Sequence, residues 1–276
     1  MPVYRSALLR FADDGRALYD EDGLLAIGPD AQGRQRVLAA GAWQTLAPQF
    51  AAEPVVHLPG RILAPGFVDM HIHFPQTDVI GSPADGLLPW LENYTFPHES
   101  RFVDPGYSAQ VAEFFVAELL RNGVTTALAF STSHPASVDA LFAEAQRQQM
   151  RLITGKVLQD RHSPDGVRDS TEQSLIDTEA LIRRWHGVDR LGYAITPRFA
   201  PTPARMSNCA GRASWLRAIP MCGSSPMWPK TATKSVGRVS CSPPHAAIWA
   251  CMTTLASCAS VRCMPTASTS TTMTAR

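Results

Sequence analysis

The chain has 276 residues, of which 45% are hydrophobic, and a formal net charge of +1. This length can bury a sizeable core, either as one large domain or as one domain with a small appendage. The near-neutral charge argues neither for nucleic acid nor for a membrane surface, and the expected partner is a small molecule alone. No apolar run in the sequence has the length of a membrane span, and the Met1 end is too polar for a signal peptide.

The net charge averages two unlike parts of the sequence. Residues 1–203 hold all 24 acidic residues and 17 basic ones, a net charge of −7, whereas residues 204–276 hold 8 basic residues and no acidic one. With Asp and Glu at about an eighth of ordinary usage, such a run of 73 residues without either has a chance of about 10⁻⁴. All six cysteines also lie in this tail, without a Cys-x-x-Cys pair, which argues against a zinc knuckle or a redox motif. The absence of cysteine from residues 1–203 excludes a disulfide scaffold there and is compatible with the expected cytoplasmic location.

The first 58 residues alternate short apolar runs with turn clusters. The expected strands are Val3–Phe11, Leu18–Tyr19, Leu24–Ile27, Val37–Ala39 and Val55–Leu58. The turn signals between them include Glu21-Asp22-Gly23. We therefore expect a small β-rich domain in which nothing carries chemistry.

From residue 65 onward the pattern changes to alternating strands and helices. Strands are predicted to begin near residues 67, 124, 151 and 191, the last two covering Arg151–Leu158 and Leu191–Thr196. Helices are predicted over Pro105–Asn122, Val138–Gln149 and Thr171–His186, the last opened by Ser170 or Thr171. Four such strands are half of an eight-stranded β/α barrel, whose active site lies at the carboxyl ends of the strands.

Two histidines stand near the end of the predicted strand Phe67–His73, which we interpret as short and buried. Because side chains alternate across a strand, His71 and His73 project from the same face. Two neighbouring imidazoles can hold one divalent metal, with further ligands from elsewhere in the chain. A pair of histidines near a surface or satisfied in a core is the alternative, and the spacing alone does not decide between the two.

Three separated segments resemble one family. Ala64–His73 resembles the first barrel strand of the metal-dependent amidohydrolases, and the Phe74-Pro75-Gln76 that follows resembles the guanine deaminases among them. Leu88–Pro97 and Thr196–Thr202 agree with that family in the same order. The resemblance covers residues 1 to about 202 and implies an α/β fold, a partial (β/α)8 amidohydrolase barrel preceded by a small β-rich domain. The expected division is 1–62 for the β-rich domain, 63–203 for the first half of the barrel, and 204–276 for an aberrant, disordered tail.

The resemblance also implies a reaction and its residues. Guanine, a small-molecule substrate, would be hydrolysed to xanthine and ammonia with one Zn²⁺ per subunit, and the intact protein would be a homodimer. His71 and His73 would be two zinc ligands, and zinc lowers the pKa of a water whose hydroxide attacks the purine carbon bearing the amine. Gln76 would face the amide-like edge of guanine, Arg198 would donate to its carbonyl or ring nitrogens, and Phe199 would pack on the base. Taken singly, these last three have plain alternatives: a loop cap, a salt bridge and a core position. No role is assigned to His98, His134, His162 or His186.

The family needs more residues than the printed sequence supplies. A third histidine, a catalytic glutamate three residues after it, a fourth histidine and an aspartate are all required. None can be found after Pro203, where His245 is the one histidine and has no carboxylate near it. The 276-residue sequence therefore contains no identifiable catalytic residue. We hypothesise that the sequence is read in a shifted frame from about Pro203.

The genetic code offers a test of this hypothesis on the sequence itself. Read from the third base of each codon, Pro226–Thr231 forces Val then Ala, because Met and Trp have single codons, and permits His-Val-Ala-Glu-Asn. In the same frame Val261–Thr269 permits Val-Tyr-Ala-His-Cys-Ile-His. These match the third- and fourth-histidine motifs of the family. We call the polypeptide that continues in this frame the frame-restored protein.

The printed chain supplies about four barrel strands, two metal ligands and no general acid or base, so we expect it to be inactive and poorly folded. Two other functions stay open. One is a different amidohydrolase, a ring deaminase or chlorohydrolase acting on another aminated or halogenated ring. The other is a non-catalytic fragment that serves as a binding or dimerisation module. For the tail, a natural disordered segment is the competing interpretation, which six cysteines and three tryptophans fit poorly.

Overall fold

The computed structural model describes residues 1–160 and 163–198, which fall into two compact units divided after Pro65. The predicted tail, 204–276, lies outside the described residues. Among the residues that are described, no helix is both long enough and apolar enough to cross a lipid bilayer.

The first unit is a four-stranded sheet with a short helical segment against it. Its elements are β1 (Val3–Phe11), β2 (Ala17–Pro29), β3 (Gln35–Ala42), α1 (Trp43–Leu46), a 3₁₀ turn (Ala47–Phe50) and β4 (Val55–Leu63). The strands pair in the order β3-β2-β1-β4, with β4 parallel to β1 and the other pairs antiparallel. Val3, Leu24 and Ala26 form the small core, against which Trp43 and Phe50 pack.

The turn predicted at Glu21-Asp22-Gly23 is wrong, because these residues lie inside β2. The pairing register shifts at this point, since Ser6 pairs with Gly23 whereas Leu8 pairs with Asp20. A β-bulge of this kind lets a turn-like sequence continue a strand. A tight turn and a bulge both favour Asp and Gly, so composition alone does not separate them.

The second unit alternates strands with helices. Its strands are β5 (Phe67–His73), β6 (Val124–Phe130), β7 (Arg151–Gly155), β8 (Val157–Leu158), β9 (Leu191–Tyr193) and β10 (Thr196–Pro197). Its α-helices are α2 (Leu87–Trp90), α3 (Phe96–Glu99), α4 (Pro105–Arg121), α5 (Pro135–Arg147) and α6 (Thr171–Trp185). Irregular helical turns cover Phe74–Val79, Leu91–Thr95 and Ser100–Val103.

One parallel sheet organises this unit. Its strands follow the order β5-β6-β7-β9, and β8 pairs with β10 in a separate two-stranded ladder. A core cluster joins the sheet to the long helices through Phe115 of α4, Phe142 of α5, Leu181 of α6, Leu152 of β7 and Tyr193 of β9. The α/β fold expected from the sequence is thereby confirmed, with four parallel strands and their connecting helices.

Strand β5 corrects one expectation. The prediction that it is buried is wrong, since Phe67 and Val68 are 69% and 56% exposed. In the described part of the chain β5 pairs with β6 alone, so it is an edge strand there. Its apolar composition suits a strand covered on both faces, as in a closed barrel.

Helices α4 and α6 begin at the predicted residues, whereas α5 begins earlier than predicted. The Asp104 carboxylate caps α4, and the Ser170 hydroxyl caps α6, which decides between the two predicted openings of that helix. Helix α5 begins at Pro135, earlier than the predicted Val138. Proline fits the first helical position because an N–H there would have no intrahelical acceptor, so the N–H that proline lacks is not needed.

Two predicted strands are interrupted where their backbones approach closely. Arg151–Leu158 is broken at Lys156, and Leu191–Thr196 is broken between β9 and β10. A Cβ atom on Gly155 would lie 1.9 Å from the backbone oxygen of Ala194. Only glycine fits at position 155, because there is no room for a side chain between the two backbones.

Gly155→Ala is expected to destabilise the protein by about 1–3 kcal/mol, since the new methyl group fits only if backbone moves. Gly192→Ala, in the neighbouring strand β9, is the matched control, because its Cβ would meet the Ile153 Cγ1 atom at 3.2 Å, and that side chain can shift. Urea unfolding of the frame-restored protein should give the lower midpoint for Gly155→Ala. Equal midpoints for the two variants would contradict the prediction.

Candidate metal and substrate site

The histidine pair lies at the carboxyl end of β5, on one edge of the parallel sheet. The two imidazoles project from the same face, as the alternation of a strand predicts, with ring centroids 5.1 Å apart and planes at 81°. The Asp69 carboxylate accepts a hydrogen bond from the backbone N–H of His71 at 3.0 Å. The pair is therefore close enough for both rings to contact one ion.

Phe130, at the end of the neighbouring strand β6, packs against both imidazoles. Its ring centroid lies 4.9 Å from that of His73, with nearly parallel planes at 12°, and 5.3 Å from that of His71. Phe130 is also the ladder partner of His73. Phe130 was not predicted as a site residue, although it occupies the last apolar position of the adjacent strand. Its stacked ring restricts rotation of the His73 side chain.

His73 is held in its neutral form. Burial lowers its pKa to about 3, with further lowering from the neighbouring Arg198 and His71. Its Nδ1 atom lies 3.2 Å from Nε2 of Gln76. A half-turn of the Gln76 amide would present the amide oxygen to Nδ1–H and leave Nε2 of His73 free for a metal. Neutral imidazole is the form that binds metal ions.

The described side chains at this site provide two metal ligands, His71 and His73, and no third one. Two imidazoles suit zinc, and a catalytic zinc site usually has three protein ligands and one open position. Over residues 1–160 and 163–198, no group of three or more His, Cys, Asp or Glu side chains could hold a metal ion. Any further ligand therefore has to come from a part of the protein beyond those residues.

Arg198 forms a buried ion pair with Glu99, which matches the salt-bridge alternative for this residue. Their side chains are 7% and 1% exposed, and Nη1 of Arg198 donates to Oε2 of Glu99 at 2.5 Å. The guanidinium carbon lies 5.3 Å from the Phe96 ring centroid. Burial raises the pKa of Glu99, against the opposing effects of the Arg198 cation and the Gln76 amide. Glu99, which was not predicted as a site residue, thus lies beside two of the predicted substrate residues.

A second buried ion pair lies just past β7. The Lys156 side chain is fully buried, and its Nζ donates to the Asp169 carboxylate and, at 3.0 Å, to Oγ of Ser174. The backbone N–H of Lys156 donates to the Tyr193 hydroxyl at 3.0 Å. This ion pair connects the segment that precedes α6 to the sheet. A buried lysine is difficult to predict from sequence, because lysine is usually solvent-exposed.

Three histidines without an assigned role, His98, His134 and His186, have hydrogen-bond partners of their own. His98 contacts a carboxylate and a tyrosine hydroxyl, His134 donates to a backbone carbonyl, and His186 accepts from a backbone amide. His162 and the predicted substrate residue Phe199 lie outside the described residues.

The chain is similar to amidohydrolases, and to guanine deaminases among them. The sequence model of the amidohydrolase family matches residues 62–214. Guanine deaminase of Escherichia coli (strain K12) is 48% identical over 183 residues, which are 66% of this chain and 40% of that protein. The solved structure of E. coli guanine deaminase aligns with a TM-score of 0.69 at 39% identity, covering 78% of this chain and 52% of that one. Guanine deaminase from C. acetobutylicum, with bound guanine in the active site, gives a TM-score of 0.70 at 26% identity over 80% and 52% of the two chains.

The matches cover only part of each relative. The chain spans 40% of the length of the E. coli relative and about half of each solved chain. The likeness to guanine deaminases expected from three sequence motifs is confirmed by these relatives. The segment matched by the family model contains both histidines, Gln76 and Arg198.

Proposed function

This chain belongs to the amidohydrolase family, and on that premise we propose that the protein it comes from hydrolyses guanine to xanthine and ammonia. The observation that carries the proposal is the close grouping of His71, His73, Gln76 and Arg198. Relatives named as guanine deaminases support the choice of substrate, since one is 48% identical and another holds guanine in its active site. The proposal concerns the whole protein, of which this chain spans a part.

One zinc ion per subunit is the proposed cofactor, with His71 and His73 as two of its ligands. When bound, zinc supplies the Lewis acidity that brings the pKa of a water close to neutrality. His73 is ready to bind because its pKa of about 3 keeps the imidazole neutral. The remaining ligands, and the glutamate that moves protons, are proposed to be encoded in the shifted frame after about Pro203.

The proposed substrate residues are Gln76, Arg198 and Phe199. Gln76 has both a donor and an acceptor, which suits the lactam edge of guanine, whereas Arg198 has donors alone and suits the carbonyl oxygen or a ring nitrogen. Phe199 is proposed to pack on the base. A purine without that carbonyl, such as adenine, would leave a buried arginine donor without an acceptor. Unpaired buried groups of this kind give strong discrimination between substrates.

The frame-restored protein is therefore expected to release ammonia from guanine, with a kcat/KM for adenine at least about a thousandfold lower. The measurement is an ammonia-coupled assay over a panel of guanine, adenine and a chlorinated triazine. Faster turnover of the triazine, or of another aminated ring, would favour a different amidohydrolase activity. No turnover of any ring, together with a cooperative melt of the 276-residue chain, would favour a non-catalytic binding or dimerisation module.

The proposed setting is a cytoplasmic homodimer that acts on a small molecule, with neither nucleic acid nor a membrane as a partner. The absence of cysteine from residues 1–203 is compatible with a reducing compartment, since nothing there needs a disulfide. Light scattering of the frame-restored protein during gel filtration measures the subunit number, and a monomer mass would contradict the dimer.

A further inference from the structure

Glu99 is a buried carboxylate at the end of α3 that has no role in the proposed function as stated above. Its side chain is 1% exposed, and Phe96, one turn earlier, lies under the guanidinium of Arg198. A carboxylate is rarely buried unless it is paired, because its desolvation is unfavourable. The partner of Glu99 is Arg198, 99 residues later in the chain.

The contact between Glu99 and Arg198 uses one atom of each charged group. Nη1 of Arg198 donates to Oε2 of Glu99 at 2.5 Å. Among the described residues, Nη2 of Arg198 and Oε1 of Glu99 have no hydrogen-bond partner, although both atoms are buried. Buried polar atoms in native proteins almost always have one. Nη2 is therefore available to an acceptor that the described residues do not supply.

The Lys156–Asp169 pair provides a contrast within the same unit. Nζ of Lys156 donates to both Asp169 and Ser174, and neither member of this pair has a buried atom without a partner among the described residues. Such a complete pair is what a structural tie requires. The incomplete pair is the one next to Gln76, which in turn contacts the imidazole of His73 at 3.2 Å.

We propose that Glu99 is a positioning residue, which holds Nη1 of Arg198 so that Nη2 is presented to the substrate. This inference rests on the proposed function, since it assigns that arginine's acceptor to guanine. The guanidinium is planar, so one anchored N–H and one face against Phe96 leave the other N–H with a defined direction. A neutral residue at position 99 would leave the guanidinium free to turn away.

Glu99→Gln in the frame-restored protein removes the charge and keeps the shape of the side chain. The KM for guanine is expected to rise about ten- to a hundredfold, the range for one hydrogen bond to a charged group, with a smaller change in kcat. Arg198→Met should raise KM by a similar factor. The double variant should be no worse than Arg198→Met alone, because Glu99 acts through Arg198. Ammonia-coupled kinetics measure all three variants.

Asp169→Asn is the matched control, since it breaks the other buried ion pair without touching Gln76 or Arg198. It should lower the melting midpoint and leave KM unchanged. Glu99→Gln would be merely structural, and the inference overturned, if it lowered the melting midpoint in the same way with no change in KM. Additive losses in the double variant would overturn it as well. If Glu99→Gln does not fold, Glu99→Asp decides: it keeps the charge but withdraws the carboxylate, so a raised KM supports the inference and an unchanged KM overturns it.

The unsubstituted frame-restored protein separates this inference from the proposed function. If that protein releases no ammonia from guanine, the proposed function fails, and the inference is overturned with it. If it turns guanine over and Glu99→Gln leaves KM unchanged, the inference alone is overturned.

Discussion

Replacing both histidines in the frame-restored protein, His71→Asn with His73→Asn, is expected to abolish zinc binding and guanine turnover together. The two imidazoles are the only side chains in the described part of the chain that we assign to the metal. Changing a residue that merely orients a metal ligand lowers affinity or activity by about 10–100-fold. Loss of two direct ligands should therefore exceed a factor of about a hundred and reach the detection limit of an ammonia assay.

The control for this change is His57→Asn, since His57 is an exposed histidine on β4 in the first unit. It should keep one zinc per subunit, measured by elemental analysis after dialysis, and an unchanged kcat. Full zinc occupancy in the double variant would contradict the assignment. His71 and His73 would then be two imidazoles that pack against Phe130 and bind no metal.

The 276-residue chain itself is expected to release no ammonia from guanine, whereas the frame-restored protein should turn guanine over at an ordinary enzyme rate of about 1–10³ s⁻¹. Two imidazoles bind zinc weakly without further ligands, and the described residues offer no third group beside them. The printed sequence after Pro203 also contains no carboxylate that could move protons. Both polypeptides can be assayed side by side at equal protein and zinc concentrations.

Two results would contradict this second prediction. One is clear guanine turnover by the 276-residue chain. The other is a nucleotide sequence in which the codons for Pro226–Thr231 do not read His-Val-Ala-Glu in the neighbouring frame. Sequencing the DNA around the codon for Pro203 would also locate the point at which the frame changes.

Local sequence signals predicted the parts of the fold that depend on neighbours in the chain. The apolar spacing of α4 placed that helix, and Ser170 was one of the two predicted openings of α6, where it caps an amide in the first turn. The same-face geometry of His71 and His73 follows from the two-residue period of a strand. Such features need no knowledge of the rest of the molecule.

Features that depend on distant residues were missed. Nothing local marks Glu99 as the partner of an arginine 99 positions later, or Phe130 as the ring that stacks on His73. The burial of β5 was predicted wrongly for a related reason, since an apolar strand signals a covered environment that only neighbouring strands can provide. The residues Glu21-Asp22-Gly23 were predicted as a turn, but they form a bulge. Pairing with β1 decides between a turn and a bulge, and local sequence does not contain that information.

The buried link between Glu99 and Arg198 also has a consequence for synthesis on the ribosome. Glu99 is translated long before its counter-ion, so a nascent chain that stops short of Arg198 would have to bury that carboxylate alone. Removing one partner of a buried ion pair is unfavourable by about 3–5 kcal/mol, so the region around α3 should stay open until Arg198 has left the exit tunnel. The proposed change of frame falls a few codons after that arginine. Both polypeptides contain Glu99 and Arg198, so both would meet this requirement.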